Sequence, residues 1–383
     1  MPVDITSIII CAILVIVAIM SVLSNPFFRK VKDGLSSFCD EEGAGDYPKV
    51  SIVVIAHKNP EALDAHLPLL LSQDYPEEFE VIVVGERGDL DTETVIGKYA
   101  NDKKMYATYI PQRSLFMSKT KLAIALGVKA SHNEWILLLD AESMPQSTLW
   151  MKRMALRMTD NKNLVIGYSN YSTETSPLQR FLRLRTACYQ LRCASRNIAY
   201  RSVGTNIAFR RSEFISNDGY RGNLQFVGGE YDFLVNKYAR QGSTAIATEK
   251  EATVHEDEPT SKTLHNKAIT YTHIRKYLKR STQQRLLFNT DMSLMYLNYI
   301  ADIGAIIYAA ICKNWIMLPT AIVCLIATVS LRMLFINRTC KHFEEEMPIW
   351  QTFFYELAIP WINMGNKIRY AKSDKHDFTT HKI

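Results

Sequence analysis

Three long apolar stretches constrain the fold of this chain more than any other feature, because each can cross a lipid bilayer. The first covers residues 5–23, and two more cover roughly residues 292–312 and 315–335. A membrane-spanning helix needs about 20 predominantly apolar residues. The sequence therefore predicts one N-terminal transmembrane helix and a C-terminal pair joined by a tight turn at Lys313 and Asn314. For the last two stretches, buried core helices are the alternative interpretation.

Basic residues beside these stretches set the predicted orientation. Arg29, Lys30 and Lys32 follow the first stretch, whereas no basic residue precedes it, which argues against a signal peptide. Basic residues also flank the C-terminal pair on both sides: Lys279, Arg280, Arg285, Arg338, Lys341 and His342. Positively charged flanks stay in the cytoplasm. We therefore expect a multi-pass protein of the cell membrane, with its N-terminus outside and its large central region in the cytoplasm.

Composition excludes some partners. The 383 residues are 47% hydrophobic, so the chain can bury a sizeable core besides its apolar stretches. The formal net charge of +6 comes without a long basic run interleaved with aromatics, so no nucleic-acid partner is expected. The seven cysteines are odd in number and form no C-x-x-C pair, which indicates reduced thiols rather than disulfides or a zinc site.

In the central region, short apolar strands alternate with helices. The predicted strands are residues 50–56, 81–84, 105–110 and 134–139, and the predicted helices are residues 61–72, 94–100 and 119–130. This alternation predicts an α/β fold with a mostly parallel sheet and helices on both faces. In such sheets ligands bind outside the carboxyl ends of the strands.

Polar side chains follow three of the predicted strands. Ala56-His57 ends the first, Glu86 follows the second, and Asp140-Ala141-Glu142 follows the fourth. Two carboxylates two residues apart supply the hard oxygen ligands that Mg²⁺ or Mn²⁺ prefers, and such an ion also binds a nucleotide diphosphate. Neither G-x-G-x-x-G nor G-x-x-x-x-G-K-S/T occurs in these positions, which argues against a dinucleotide oxidoreductase and a P-loop enzyme.

Several motifs follow in a characteristic order. They are the opening strand at residues 50–57, Gln73-Asp74-Tyr75-Pro76 with the strand at 79–84, Leu139-Asp140-Ala141-Glu142, the segment 204–210 and the acidic segment 228–233. Over about residues 48–290 this order resembles the family 2 glycosyltransferases with a GT-A fold, especially membrane-anchored bacterial forms. The resemblance implies a Rossmann-like GT-A domain that moves a sugar from a nucleotide-diphosphate donor.

The resemblance also implies residue roles. The donor-binding residues would be Ala56, His57, Glu86, Lys121 and Asp140. Asp140 and Glu142 would hold Mg²⁺ or Mn²⁺, and Glu230 would be the catalytic base, with Asp232 as the second candidate. A solvated helix lysine is the alternative for Lys121, and a carboxylate favoured by a helix N-terminus is the alternative for the two base candidates.

The sequence departs from the family pattern in two ways. Glutamate stands where the family usually has aspartate at Glu86, Glu142 and Glu230. The family's Q-x-x-R-W segment should fall near residues 265–270, where neither the Gln nor the Arg is kept. In processive synthases that segment helps form the acceptor side, so its loss favours a non-processive enzyme.

These observations predict a membrane-bound inverting glycosyltransferase. We expect it to add one sugar, from a UDP-sugar, to a lipid-linked or glycan acceptor in cell-surface polysaccharide synthesis. The alternatives are a catalytically impaired membrane scaffold partner of another glycan synthase and a nucleotidyltransferase, which shares the three-layer fold. The predicted domains are an N-terminal anchor, a cytoplasmic GT-A domain, two transmembrane helices and a cytoplasmic interfacial helix with a tail, at residues 1–28, 48–290, 291–337 and 338–383.

An arginine-rich segment at residues 178–201 leaves two interpretations open. Six arginines lie there among Leu, Phe, Tyr and Cys residues. The segment is either a basic amphipathic helix on the inner leaflet, near anionic lipid or a lipid-phosphate acceptor, or a charged helix that packs over the core.

Overall fold

The computed structural model of the chain describes residues 4–31, 47–114, 116–196, 198–202 and 204–379. Its contacts divide the chain into two compact units. The helical unit comprises residues 1–30 and 280–362, and the α/β unit comprises residues 31–279 and 363–383. The two units are described separately.

Ten strands lie in the described part of the α/β unit. They are β1 Val50–Ile55, β2 Phe79–Glu86, β3 Met105–Ile110, β4 Trp135–Asp140, β5 Ser143–Pro145, β6 Leu164–Gly167, β7 Ser169–Tyr171, β8 Ile207–Arg210, β9 Thr244–Ala247 and β10 Val254–Glu256. Seven form a sheet in the order β3-β2-β1-β4-β8-β6-β9, and three form a smaller sheet in the order β5-β10-β7. In the large sheet, β8 runs antiparallel to β4 and β6, and the other neighbouring strands are parallel.

Twelve α-helices complete the described chain. They are α1 Ile5–Ser24, α2 Pro60–Leu71, α3 Leu90–Lys98, α4 Lys119–Ala130, α5 Trp150–Ala155, α6 Pro177–Arg196, α7 Arg211–Ser216, α8 Glu230–Tyr238, α9 Ser261–Ile274, α10 Thr282–Cys312, α11 Met317–His342 and α12 Ile349–Lys372. The mostly parallel sheet with its helices confirms the predicted α/β fold class.

Local chemistry explains where the first helices of the α/β unit begin. The side chains of Asn59, Asp89 and Ser118 each accept a hydrogen bond from a backbone N–H in the first turn of α2, α3 and α4 respectively. Such caps satisfy donors that have no partner within the helix. Pro60 at the first position of α2 strengthens the signal, because its missing N–H would be unpaired there anyway.

The central strands are apolar because both of their faces are covered. Every residue of β1 is buried, and so are the first five residues of β4. Trp150 and Met154 of α5 pack into the same core. A parallel sheet with both faces covered needs continuous apolar runs rather than alternation, which is the pattern that the sequence shows.

Among its described residues, the helical unit contains three helices that are long and apolar enough to cross a membrane. They are α1, α10 and α11. The turn between α10 and α11 matches the predicted hairpin: Lys313 adopts a left-handed conformation with φ of 53°, and Asn314 N donates to the carbonyl oxygen of Ala309 at 2.9 Å. This confirms three apolar helices at the predicted places, while their orientation in a membrane stays a prediction.

A buried ion network lies inside the helical unit. The Arg332 guanidinium on α11 binds Asp291 of α10 at 3.1 Å and Glu356 of α12 at 2.9 Å. It also donates to the carbonyl oxygen of Ser21 on α1 at 2.8 Å. Since charges in an apolar environment are stable only when paired, this network explains how an arginine is accommodated in the third apolar helix.

Most of the arginine-rich segment lies in α6, a helix of the α/β unit. Arg180, Arg183 and Arg185 are all buried there. Side chains in these positions are covered by protein and do not face a lipid surface. The structure therefore favours the second interpretation, in which this helix packs over the core.

Candidate active site

The carboxyl ends of β1, β2 and β4 meet at one edge of the large sheet. Ile55 at the end of β1 lies opposite Asp140 at the end of β4, and Ala141 N donates to the carbonyl oxygen of Ile55 at 2.9 Å. On the other side, Ala56 N donates to the carbonyl oxygen of Val84 on β2 at 3.0 Å. The polar residues that follow these three strands therefore share one edge of the sheet.

Glu86, the last residue of β2, is buried between two basic side chains. Its Oε2 lies 2.8 Å from Nδ1 of His57, and its Oε1 accepts a hydrogen bond from Nζ of Lys119. The His57 side chain is half-exposed, so this corner opens toward solvent. A carboxylate fixed in this way is chemically suited to accept hydrogen bonds from a nucleotide base.

Asp140 lies in a negatively charged environment. The Tyr231 hydroxyl on α8 donates a hydrogen bond to its Oδ1. Burial raises the pKa of the Asp140 carboxyl to about 7, and the charges of Glu256 and Glu230 add to the rise. The Tyr231 hydrogen bond and the positive charge of Lys267 oppose it. A cation at this point would stabilise the ionised carboxylate.

Glu142 is exposed and lies on the turn after β4. Its Oε1 accepts a hydrogen bond from Nδ2 of Asn59 at 3.1 Å, and its carbonyl oxygen accepts from Asp257 N at 2.9 Å. Among the described residues, no group of three or more His, Cys, Asp or Glu side chains converges as a metal cage. Mg²⁺ is commonly held by one or two carboxylates together with substrate phosphates. The oxygen donors of Asp140 and Glu142 fit an ion that binds in this way.

Glu230 is the first residue of α8 and directly follows a turn in the left-handed conformation. Gly229 has φ of +78°, a conformation that glycine adopts at low cost. Burial raises the pKa of the Glu230 carboxyl, Asp232 adds to the rise, and the positive charges of Lys121 and Lys267 oppose it. Its Oε2 is buried and has no hydrogen-bond partner in the part of the chain that the structure describes. An unpaired buried carboxylate oxygen is able to accept a proton from a bound hydroxyl.

Asp232, the second candidate base, is paired. Its Oδ1 lies 3.0 Å from Nε of Arg201, whose guanidinium covers the ring of Tyr271 at 3.7 Å. Burial raises the pKa of the Asp232 carboxyl, and Arg201 opposes that rise. Of the two carboxylates, Glu230 is the one with an oxygen atom that lacks a hydrogen-bond partner among the described residues.

Lys121 does not direct its ammonium group to solvent. The side chain is fully buried, and Nζ donates to the carbonyl oxygens of Asn223 at 2.8 Å and Phe226 at 2.6 Å. Burial lowers the pKa of Lys121 to about 8, and the charge of Glu230 opposes the fall. This position differs from the one expected for a residue that neutralises a diphosphate. It fits a lysine that holds the loop before Glu230.

The family model described as glycosyl transferase family 2 matches residues 51–216. This chain carries a family 2 glycosyltransferase domain. The matched range includes Lys121, Asp140 and Glu142, whereas Glu230 lies beyond it.

Relatives of the family 2 domain are distant. The probable glycosyltransferase YdaM of Bacillus subtilis (strain 168) is 25% identical over 181 residues, which cover 45% of this chain and 42% of that protein. Among solved structures, the mannosyltransferase PcManGT from Pyrobaculum calidifontis, in complex with GDP-Man and Mn²⁺, is similar with a TM-score of 0.50 at 14% identity. That similarity covers 94% of this chain and 99% of the mannosyltransferase. It supports the GT-A fold.

The sequence interpretation missed two residues of the site, Lys267 on α9 and Glu256 on β10. Both lie beyond the range that the family model matches. Lys267 lies within residues 265–270, its Nζ is 3.5 Å from Oε2 of Glu256, and its side chain is half-exposed. Arg183 donates two hydrogen bonds to Glu256. Although burial alone would raise the pKa of Glu256, Arg183 and Lys267 lower it to about 2. Lys267 could have been found as a basic residue near the place where the family has its arginine. Nothing in the spacing indicated Glu256.

Proposed function

We propose that this protein is a membrane-bound inverting glycosyltransferase. It moves one sugar from a nucleotide-diphosphate donor, which we expect to be a UDP-sugar, to a hydroxyl of a lipid-linked or glycan acceptor. The observation that carries the proposal is the buried, unpaired Oε2 of Glu230 in the same charged environment as Asp140. The matched family model and the shared GT-A fold support the class of reaction.

The proposed reaction is a single displacement at the anomeric carbon. The Glu230 carboxylate takes the proton from the acceptor hydroxyl as that oxygen bonds to the anomeric carbon. On the opposite face of the sugar the bond to the phosphate oxygen breaks, and the nucleoside diphosphate leaves with the electron pair. Attack and departure on opposite faces invert the anomeric centre. One base is sufficient for this reaction.

Positive charge is needed where the diphosphate departs. Lys267 supplies it in this proposal, because its side chain is half-exposed and its ammonium acts electrostatically on both Asp140 and Glu230. Glu256 accepts a hydrogen bond from Lys267, and Arg183 holds Glu256 in place by donating to it. A divalent ion bound by Asp140 and Glu142 would neutralise further charge on the diphosphate. Glu86 and His57 would contact the nucleotide base, and Ala56 would line the same corner.

The proposed setting is the cytoplasmic face of the cell membrane. Three apolar helices and their basic flanks support this placement. A transferase anchored there meets soluble nucleotide-sugars on one side and lipid-linked acceptors in the bilayer. We therefore assign the activity to cell-surface polysaccharide synthesis, with the predicted GT-A domain in the cytoplasm and the N-terminus outside.

Donor binding tests the proposal and separates it from its alternatives. Purified protein is titrated with UDP-sugars in the presence of Mn²⁺ or Mg²⁺, and the Asp140→Asn variant is titrated in parallel. We expect metal-dependent binding by the wild type and binding weakened about tenfold or more in the variant. Absence of donor and metal binding would instead favour the scaffold interpretation. Release of pyrophosphate from a nucleoside triphosphate and a sugar phosphate would favour a nucleotidyltransferase.

A further inference from the structure

Within the α/β unit, the C-terminal tail, defined as residues 370–379, packs on α9 through Tyr370 and through an aromatic anchor, Phe378. Within residues 371–379, Phe378 is the single residue that is buried, although its neighbours are exposed or half-exposed. Its ring stacks on His273 of α9, with ring centres 4.8 Å apart and planes 16° from parallel. The Tyr370 hydroxyl lies 3.0 Å from Nδ1 of the same histidine. A tail that is anchored by a buried aromatic residue has a defined position.

The tail also pairs its backbone with the base loop, defined as residues 223–229, which precedes Glu230. Val227 N donates to the carbonyl oxygen of Phe378 at 3.0 Å. Phe226 and Thr379 form an antiparallel bridge. The tail thus extends the base loop on one side, as a short added strand would.

The base loop connects the tail to α8 through packing contacts. The ring of Phe226 stacks on Phe233 of α8, with ring centres 5.1 Å apart and planes 20° from parallel. A Cβ atom at Gly229 would lie 2.4 Å from Cδ1 of Ile274 on α9, so the backbone there packs directly on that helix. The loop is therefore held by α9 at one point and by the tail at another, immediately before Glu230.

We propose that the C-terminal tail positions the catalytic base, with Phe378 as a positioning residue that acts on Glu230 through Phe226 and Val227. The proposal rests on the proposed function, because it assumes that Glu230 is the base. It adds a requirement that the family 2 domain alone does not contain. Residues far along the chain, after α12, complete the environment of the base. Loss of the anchor should therefore disturb the proton transfer while leaving donor binding near Glu86 unchanged.

The test compares three variants of the full-length protein. Phe378→Ala removes the anchor, Phe378→Leu keeps most of its apolar volume, and His376→Ala changes an exposed neighbour in the same tail. We expect Phe378→Ala to lower kcat at least about tenfold with the donor KM within about twofold of wild type. Phe378→Leu should recover most of that loss, and His376→Ala should match the wild type. Amide hydrogen exchange across residues 223–232 should accelerate in Phe378→Ala, to a smaller extent in Phe378→Leu, and not in His376→Ala.

The outcomes separate the two proposals. If the wild type is active and Glu230→Gln is not, a wild-type kcat in Phe378→Ala overturns the positioning role. So does a loss of activity without faster exchange in residues 223–232, or an equal rise of the donor KM. If Phe378→Ala does not fold, Phe378→Leu decides, with a partial loss of kcat and faster exchange expected together. An inactive wild type, or a fully active Glu230→Gln variant, removes the proposed function and the positioning role with it.

Discussion

Replacing Lys121 with methionine distinguishes two roles for this buried lysine. Methionine keeps the length and apolar body of the side chain and removes the ammonium group. If Lys121 holds the base loop, the variant loses the donor to the carbonyl oxygens of Asn223 and Phe226. If Lys121 neutralises the diphosphate, as the sequence resemblance implied, the variant loses affinity for the donor. Lys129→Met is the matched control, because Lys129 lies exposed on the same helix.

The structure allows the size of the effect to be worked out. Burial lowers the pKa of Lys121 from 10.5 to about 8, and each pKa unit corresponds to about 1.4 kcal/mol. Keeping the ammonium charged in the folded protein at neutral pH therefore costs about 3 kcal/mol, which methionine removes. Leaving two buried carbonyls without a donor costs about 1 to 3 kcal/mol each. These contributions nearly cancel, so we expect a change in the free energy of unfolding of less than about 3 kcal/mol.

Activity should change far more than stability. A base displaced by about 1 Å can lose on the order of 100-fold in rate, so we expect kcat to fall about 10- to 100-fold with little change in donor KM. Because the folded pKa of Lys121 lies below the unfolded one, the unfolded chain holds the extra proton between pH 8 and 10.5. Wild-type stability should therefore rise with pH across that window, and the variant should lose this rise. Melting temperatures at both ends of the window measure it.

Two outcomes would contradict the loop-holding role of Lys121. A donor KM raised tenfold or more, with kcat unchanged, would show that Lys121 acts on the donor and that its bonds to the base loop are incidental. Wild-type kinetics in Lys121→Met would exclude both roles. Lys129→Met should match the wild type in every measurement, so any shared loss would indicate a general effect of removing charge from the helix.

Three further predictions concern the charged residues of the site. Because burial raises the pKa of Glu230 and only the carboxylate accepts a proton, kcat/KM should fall with decreasing pH at a pH above the ordinary glutamate value of 4.5, and a pH profile measures this limb. Lys267→Met should raise the donor KM about tenfold, whereas Lys262→Met, an exposed change on the same helix, should not. Arg201→Met leaves Asp232 buried without its cation and should lower the free energy of unfolding by about 3 kcal/mol, so a melting temperature equal to wild type would contradict the role of this pair.

The sequence was sufficient for the fold class because its signals are local. Apolar runs at β1 and β4, caps at Asn59 and Ser118, and three long apolar stretches each depend on residues close in the chain. In a mostly parallel sheet the carboxyl ends of the strands lie along one edge. Thus the common edge of Ala56, Glu86 and Asp140 could be expected from the amino-acid sequence.

The surroundings of each side chain could not be predicted from the sequence in the same way. The sequence predicts either a surface helix lysine or a ligand residue at Lys121, and only the loop folded over it shows that its ammonium is buried. Lys267 and Glu256 reach Asp140 from α9 and β10, more than 100 residues further along the chain. The pairing of Asp232 with Arg201 likewise depends on tertiary contact. Contacts of this kind carry no periodic signal in a single sequence.

The most direct test of the proposed sugar transfer follows the donor itself. Membranes containing the wild type or the Glu230→Gln variant are incubated with a panel of nucleotide-sugars, an acceptor extract and Mn²⁺, and the nucleoside diphosphate released is measured. We expect the wild type to consume one donor of the panel, and Glu230→Gln to consume it about 100-fold more slowly. Equal consumption by the wild type and Glu230→Gln would contradict the role of Glu230 as the base. If the wild type consumes no donor, the proposed sugar transfer itself is contradicted.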